Sequence, residues 1–306
     1  MTEDAKLQKY LKAGRVLAEV RAEALRKIIK PGQNILEIAE FIEKKVLERG
    51  CSIAFPVNIS IDDQTAHYTP VFDEKRLVKE GELVKIDIGV HCDGFVADSA
   101  ITYCSEKNLL VDAVEKVIDT AIGVLKPGLA VYEIADAIEP VVKGMGVGLV
   151  VNLTGHGVDE GMFHAPPTIP SIKNKISYKL QEGDAIAIEP FVCQTNGYVK
   201  ESGTVEIYRY LQDKPVRSQE ARQILEHIKT NFGPFPFAKR WLVRPVLDGV
   251  KGFTPIKVSM GIRQLETAGC LEAHPVLKEV EGKKVAQAEH TIYIKEKPIV
   301  TTKLEG

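Results

Sequence analysis

Residues 30–50 read KPGQNILEIAEFIEKKVLERG, and residues 126–146 read KPGLAVYEIADAIEPVVKGMG. Ten of these 21 positions are identical, at an offset of 96. Each copy opens on a Lys-Pro-Gly turn and continues with apolar residues at helical spacing: Ile35, Ile38, Ala39, Ile42 and Val46 in one, Val131, Ile134, Ala135, Ile138 and Val142 in the other. Each closes on a glycine suited to a helix stop, Gly50 or Gly146. The segments upstream, Asp4–Ile29 and Val111–Leu125, carry the same amphipathic period.

The correspondence extends downstream. Each helix pair is followed by an apolar stretch and a histidine, His67 in AHYTP and His164 in FHAPP. An acidic-Gly turn and a strand come next, EGELVKIDIGV and EGDAIAIEPFV, which set Asp87 opposite Glu189. GFVADSA then parallels GYVKESG, with Asp98 opposite Glu201. Chance likeness between two helices explains one matching pair but not five features in one order. The expectation is an α+β domain of two pseudo-symmetric helix-helix-strand-strand halves. Short turns between the strands favour an antiparallel or mixed sheet over a doubly wound one. Residues 211–273 interrupt the pattern with five prolines, two helical stretches (Ser218–Asn231 and Ile256–Gly269) and the aromatic run NFGPFPFAKRWL. They read as a helical insertion, which leaves residues 1–210 and 274–306 as the catalytic domain, its sheet pattern resuming at Lys284.

Composition narrows the class of function. The 306 residues carry 40 basic and 42 acidic side chains, a net charge of −2, which argues against a polyanion binder working through a basic surface. No apolar run approaches the ~20 residues that span a bilayer, and the N-terminus MTEDAKLQKY has no signal-peptide core. Five scattered cysteines (Cys51, Cys92, Cys104, Cys193, Cys270) read as free thiols in a reducing compartment, hence as a cytoplasmic protein.

A carboxylate inside an apolar strand is costly unless it is paired or binds metal. Asp87 in VKIDIGV, Asp98 in FVADSAI, Glu189 in AIAIEPFV and Glu289 in AQAEHTIYI are four such cases. A strand, a tight turn at Cys92-Asp93-Gly94 and a return strand would make Asp87 and Asp98 cross-strand neighbours. His156 in NLTGHGV supplies a neutral imidazole. Four ionised carboxylates in one pocket repel, and two divalent ions neutralise all four. Oxygen-rich ligation with one nitrogen suits Co, Mn, Fe or Zn, and two ions bridged by carboxylates make a hydrolytic site.

With these motifs in place the chain closely resembles the type II methionine aminopeptidases, from about residue 5 to its end. The resemblance rests on AHYTP, KIDIG, VADSA, NLTGHGV, HAPP, IEPF, NFGPFPFAKRWL and AQAEHTIYI, in that order. It implies the pita-bread fold around a dinuclear site, with the insertion typical of type II and a short, archaeal-like N-terminus. It also implies roles. Asp87 would chelate one metal, Asp98 and Glu289 would bridge both, and His156 and Glu189 would complete the second position. Glu189 would act as general base and then acid. His67 and His164 would contact substrate, and Phe55, Pro56 and Phe163 would line the methionine pocket. Glu201, the repeat's own partner for Asp98, becomes a polar neighbour, and His274 stands where many relatives have tyrosine. The partners implied are N-termini of nascent polypeptides, met at the ribosome, by a monomer with no specific nucleic acid and no membrane. His91, His227 and His290 read as surface or structural.

Three other readings are weighed against this one. A prolidase or aminopeptidase P shares the ligand set but carries a substantial N-terminal domain and lacks the insertion. A catalytically dead binding protein on the same scaffold would have lost ligands. A winged-helix insertion with Lys229, Lys239, Arg240, Arg244 and Lys251 could meet nucleic acid, which the near-neutral charge disfavours.

Overall fold

The protein is seen here as a computed structural model that describes residues 2–247 and 251–304. The first half begins with α1 (Glu3–Lys27) and α2 (Ile35–Glu48), then β1 (Ser52–Ile61), β2 (Gln64–Ala66), β3 (Val84–Cys92) and β4 (Phe95–Tyr103). The second half repeats the plan with α3 (Leu109–Val124), α4 (Val131–Gly144), β5 (Gly148–Leu149), β6 (Thr154–Asp159), β7 (Met162–Pro170), β8 (Ala185–Ile188), β9 (Phe191–Cys193) and β10 (Val199–Tyr210). A helical segment follows, α5 (Gln219–Asn231), the short strand β11 (Phe237–Ala238), α6 (Lys239–Val243) and α7 (Pro255–Ala268). The chain closes with β12 (Leu271–Glu279), β13 (Val285–Gln287), β14 (His290–Tyr293) and β15 (Ile299–Val300).

The two repeated helices end alike. Gly50 and Gly146, each just beyond a helix, take φ of +72° and +66°, a left-handed turn that glycine enters without steric penalty. Their starts differ. Asn34 caps α2 by accepting the Leu36 N–H at 2.8 Å, whereas Ala130 cannot, and the Glu133 carboxylate instead accepts the Ala130 N–H at 2.7 Å. Each helix pair buries its apolar stripe on its own strands. Leu17, Ile38, Ile42, Ile86 and Val90 belong to one core, and Val114, Ile118, Ile134, Ile186 and Ile292 to its counterpart.

All strand pairings within the named sheets are antiparallel. The strands form four adjoining sheets, ordered β1-β3-β4, β11-β10-β12-β2, β13-β9-β5 and β15-β14-β8-β6-β7. The helical segment packs around its own core of Ile224, Ile228, Trp241, Val258 and Leu265. Sheet structure resumes at Leu271, before the expected Lys284, because β12 pairs with β10 from Leu271↔Tyr210 to Glu279↔Val199. LEAHPVLKE is half exposed and carries Pro275, so no alternation announces a strand.

Two of the five cysteines are not free. Cys51 and Cys92 form a disulfide with Cα atoms 4.9 Å apart, and Cys104, Cys193 and Cys270 remain thiols. The register that pairs Ser52 with His91 puts Cys51 opposite Cys92, a proximity hidden by a sequence separation of 41. The inference from free thiols to a reducing compartment therefore lapses. No helix among the described residues is long and apolar enough to cross a membrane.

Candidate active site

The acidic residues reach one place from two strands and two strand breaks. β3 and β4 form a hairpin whose two-residue loop, Asp93-Gly94, has φ of +55° and +89°, as a twisted two-residue turn requires. Its register pairs Asp87 with Ala100 and Asp98 with Gly89. The two aspartates are thus cross-strand neighbours as expected, set diagonally on one face, one pleat repeat apart. Glu189 sits at the break between β8 and β9, and Glu289 at the break between β13 and β14. The Glu289 N–H donates to the Ala100 carbonyl at 2.9 Å. Asp87, Ala100 and Glu289 consequently form a row across three strands, and the small Ala100 leaves room between the acids.

His156 enters from β6. A Cβ on Gly155 would lie 2.4 Å from the Ala187 oxygen, and one on Gly157 2.1 Å from the Pro166 oxygen. The glycines on both sides of the histidine therefore let β6 press between β7 and β8. The ring Nδ1–H donates to the Gly157 carbonyl at 2.9 Å, which leaves Nε2 3.5 Å from Glu189 Oε1 and 3.8 Å from Asp98 Oδ2. One ligand atom each from Asp98, His156 and Glu289 lies within 4.8 Å of the others.

The electrostatics of the cluster follow from crowding. Burial raises the Asp87 carboxyl to about 7, an effect that the nearby Gln287 and Asp98 side chains only partly offset. Asp98 and Glu189 are pushed well above the carboxylate range first by burial and then by the charge of Asp87, and Glu289 by burial and then by the charge of Asp98. Burial lowers His156 to about 4, so its imidazole is neutral. Asp87 Oδ1, Asp98 Oδ1 and Glu289 Oε1 are buried with no hydrogen-bond partner among the described residues. Unpartnered carboxylate oxygens converging on a neutral imidazole are the donor set of a divalent cation, and the residues present fit one.

These groups line a cavity of about 510 Å³, together with Phe55, His67, Phe163, His164 and His274. His67 follows β2 with φ of +63°, a left-handed conformation that is uncommon outside glycine, and its Nδ1–H donates to the Pro275 carbonyl at 3.2 Å. His164 lies within β7 and not at a strand end, its ring 4.3 Å from that of His156 and 4.4 Å from that of Phe163. Burial lowers His67 to about 4, helped by His274, and lowers His164 to about 2, helped by His156 and the other cavity histidines. Gly89 has no side chain because the Phe55 ring occupies that space; a Cβ there would come within 2.3 Å of it.

Two expected residues are elsewhere. Pro56 is buried in β1 and is not among the cavity-lining residues. Glu201 is exposed on β10, paired with Leu277, and does not neighbour the cluster. Sequence reasoning overlooked Asn58, which lies opposite Asp87, lines the cavity and leaves Oδ1 buried without a partner. An asparagine inside the apolar run AFPVNISI was as strong a signal as the carboxylates. His290 and His91 are structural: His290 Nδ1 meets Thr302 Oγ1 at 2.8 Å, and His91 stacks on Phe235 at 4.2 Å.

Helix pairs on antiparallel strands around an acid-and-histidine cluster define a metal-dependent hydrolase of the pita-bread class. Residues 8–221 match metallopeptidase family M24. The chain is 41% identical over 297 residues to the methionine aminopeptidase of Thermococcus onnurineus, covering 95% of this chain and 98% of that protein. In structure it is similar to a thermophilic Arx1, with a TM-score of 0.84 at 18% identity over 100% of this chain and 92% of that one. It is also similar to the Thermotoga maritima methionine aminopeptidase, with a TM-score of 0.68 at 22% identity over 98% and 97%. The chain belongs to the M24 metallopeptidases, and among them to the methionine aminopeptidases.

Proposed function

We propose that this enzyme removes the initiator methionine from nascent polypeptides whose second residue is small, by hydrolysis of the first peptide bond at a site holding two divalent cations, Co, Mn, Fe or Zn. The observation that carries this reading is the convergence of four crowded carboxylates, three with unpartnered oxygens, and a neutral imidazole beneath an apolar pocket. Asp87 would hold one cation, Asp98 and Glu289 would bridge, and His156 and Glu189 would hold the other. Bound cations would supply Lewis acidity at the scissile carbonyl and a lowered pKa for water.

The remaining chemistry belongs to side chains. Glu189 takes a proton from the attacking water and returns it to the departing amine. His67 and His164 orient the scissile amide, and the Nδ1–H bond from His67 to Pro275 leaves its Nε2 for substrate. Phe55 and Phe163, with ring centres 6.3 Å apart, offer apolar contacts suited to an unbranched thioether. The α-amino group binds at the acidic cluster, Asp87 first, so a free N-terminus is essential. Monomeric action in the cytoplasm, where nascent chains leave the ribosome, completes the reading.

Metal-reconstituted protein is offered Met-Ala-Ser, its N-acetyl form and Met-Lys-Ser. Cleavage of the first alone supports the reading. Efficient cleavage of either of the others rejects it.

A further inference from the structure

β4 is the outer strand of its sheet, so the backbone groups along its free edge require partners. They find them on the β13–β14 segment that carries Glu289 at its break, largely through hydroxyls. The Asp98 N–H donates to Thr291 Oγ1 at 2.7 Å, and the same hydroxyl donates to the Asp98 carbonyl at 2.8 Å. Thr102 mirrors this four residues along: its hydroxyl donates to the Gln287 carbonyl and accepts the Gln287 N–H, both at 2.7 Å. Between them the Ser99 hydroxyl donates to the Glu289 carbonyl at 2.5 Å. Asp98 with Thr291, Ala100 with Glu289 and Thr102 with Gln287 make an antiparallel register without a slip, although the segments belong to different sheets.

We propose that Thr291 is a positioning residue of the metal centre, whose hydroxyl locks the backbone of Asp98 to the strand of Glu289 and so fixes the separation of these two carboxylates before a cation arrives. The inference rests on the reading that both residues bind metal. A hydroxyl is suited to the task because it donates and accepts at once. β-Branching holds threonine to few rotamers, so its oxygen is already directed. Thr291 is fully buried, so no water can replace it. Backing comes from Arg21 on α1, which contacts the Ser99 hydroxyl and donates to the Thr302 carbonyl at 2.9 Å. The stitch acts through the backbone, so it sets the spacing of the two strands whatever the charge state of the carboxyl groups they carry.

The test is calorimetric titration of the metal-free protein with Mn²⁺, for the wild type, Thr291→Val, Thr291→Ser and Thr301→Val, with amide hydrogen exchange followed at Asp98. Valine keeps the shape of threonine and removes both hydrogen bonds, and should weaken Mn²⁺ binding by about 10–100-fold, the usual effect of losing a group that orients a ligand. Serine, which keeps the hydroxyl, should restore most of the affinity. Thr301 is the structural control: it is buried beside Thr291 and donates to its carbonyl at 3.1 Å, but among the described residues it makes no hydrogen bond to Asp98 or Glu289. Wild-type affinity in Thr291→Val, or an equal loss in Thr301→Val, overturns the proposal. So does rapid exchange of the Asp98 N–H in the metal-free wild type, a measurement that needs no variant to fold. A wild type that binds no Mn²⁺ overturns the metal assignment itself, and this inference with it.

Discussion

Arg240, in the helical segment, is paired with Glu43 on α2, and each side chain is only 1% exposed. The Trp241 Nε1–H donates to the second oxygen of Glu43 at 3.0 Å, and the Val57 N–H donates to the first at 3.3 Å. Arg240 Nη1 also donates to Thr69 Oγ1 at 2.5 Å, and Thr69 in turn donates to the Val57 carbonyl at 2.9 Å. The segment is thereby bound to the loop that carries His67 two residues away. Replacing Glu43 by glutamine leaves the guanidinium buried without its counter-charge. The expected loss is about 3–5 kcal/mol in urea unfolding, the range for breaking a buried pair from one side. Stability within 0.5 kcal/mol of wild type would mean that water or another acid reaches Arg240.

Chelation should abolish hydrolysis and also lower the thermal midpoint, because a cation that binds only the folded chain stabilises it by mass action. Asp98→Asn should lose binding at both positions, since Asp98 is assigned to bridge them. Two unaffected sites in the titration of that variant would remove the bridging role.

The helices were readable because each buries one stripe, and a stripe repeats at a spacing visible in one dimension. The acids and His156 were readable because an ionisable group in an apolar run must be answered by something across the fold. What escaped was information held between strands. The Cys51–Cys92 bond depends on the β1–β3 register, and the diagonal placing of Asp87 and Asp98 depends on where the Asp93-Gly94 loop closes. Thr291 carries no charge, so nothing in AQAEHTIYI separates it from an ordinary strand threonine. Glu201 was drawn toward the site by the repeat, yet β10 turns it outward, and the third and fourth acids come from the breaks at Glu189 and Glu289.

His164 lines the cavity with no hydrogen bond to another side chain or backbone group among the described residues, and its ring is 4.3 Å from that of the assigned ligand His156. His164→Ala should keep its metal stoichiometry and lose about 10²–10³-fold in kcat, the scale for a donor that acts mainly on the transition state, with a smaller change in KM. Loss of metal in that variant would instead make His164 a ligand.

Glu279 gives the fold an acid-sensitive joint. Burial alone would raise its carboxyl, but N–H groups of Lys283 at 2.9 Å, Glu281 at 2.8 Å and Tyr198 at 3.3 Å outweigh burial and hold it below its ordinary value. A depressed folded value means that the stabilisation is complete above the unfolded pKa of about 4.5 and disappears as pH falls through the folded one. Glu279→Gln should lower stability by about 1–3 kcal/mol at neutral pH, since an amide cannot satisfy all three donors as a carboxylate does. The difference from wild type should shrink below pH 4.5. An unchanged difference across that range would show that the charge of Glu279 is not what stabilises the joint.

Gly89 is where pocket shape and sheet register meet. It stands opposite Asp98 on one side and Phe55 on the other, on the face of β3 that carries Asp87. A methyl group placed there would fall 2.3 Å from the Phe55 ring, well inside contact, so the ring or the strand must shift. β3 is held on both edges, by β1 and by β4, so the ring is the part free to move, and it moves into the cavity that Phe55 lines. Gly89→Ala should therefore cost about 1–3 kcal/mol of stability, as overpacking does. Its kinetic signature should be a raised KM for Met-Ala-Ser with the metal content intact. A shorter first residue, such as norvaline, should suffer less than methionine because it does not reach the displaced ring. Equal losses for both first residues would show that the added methyl acts through Asp98 and the cation site, and that Phe55 does not shape the pocket for methionine.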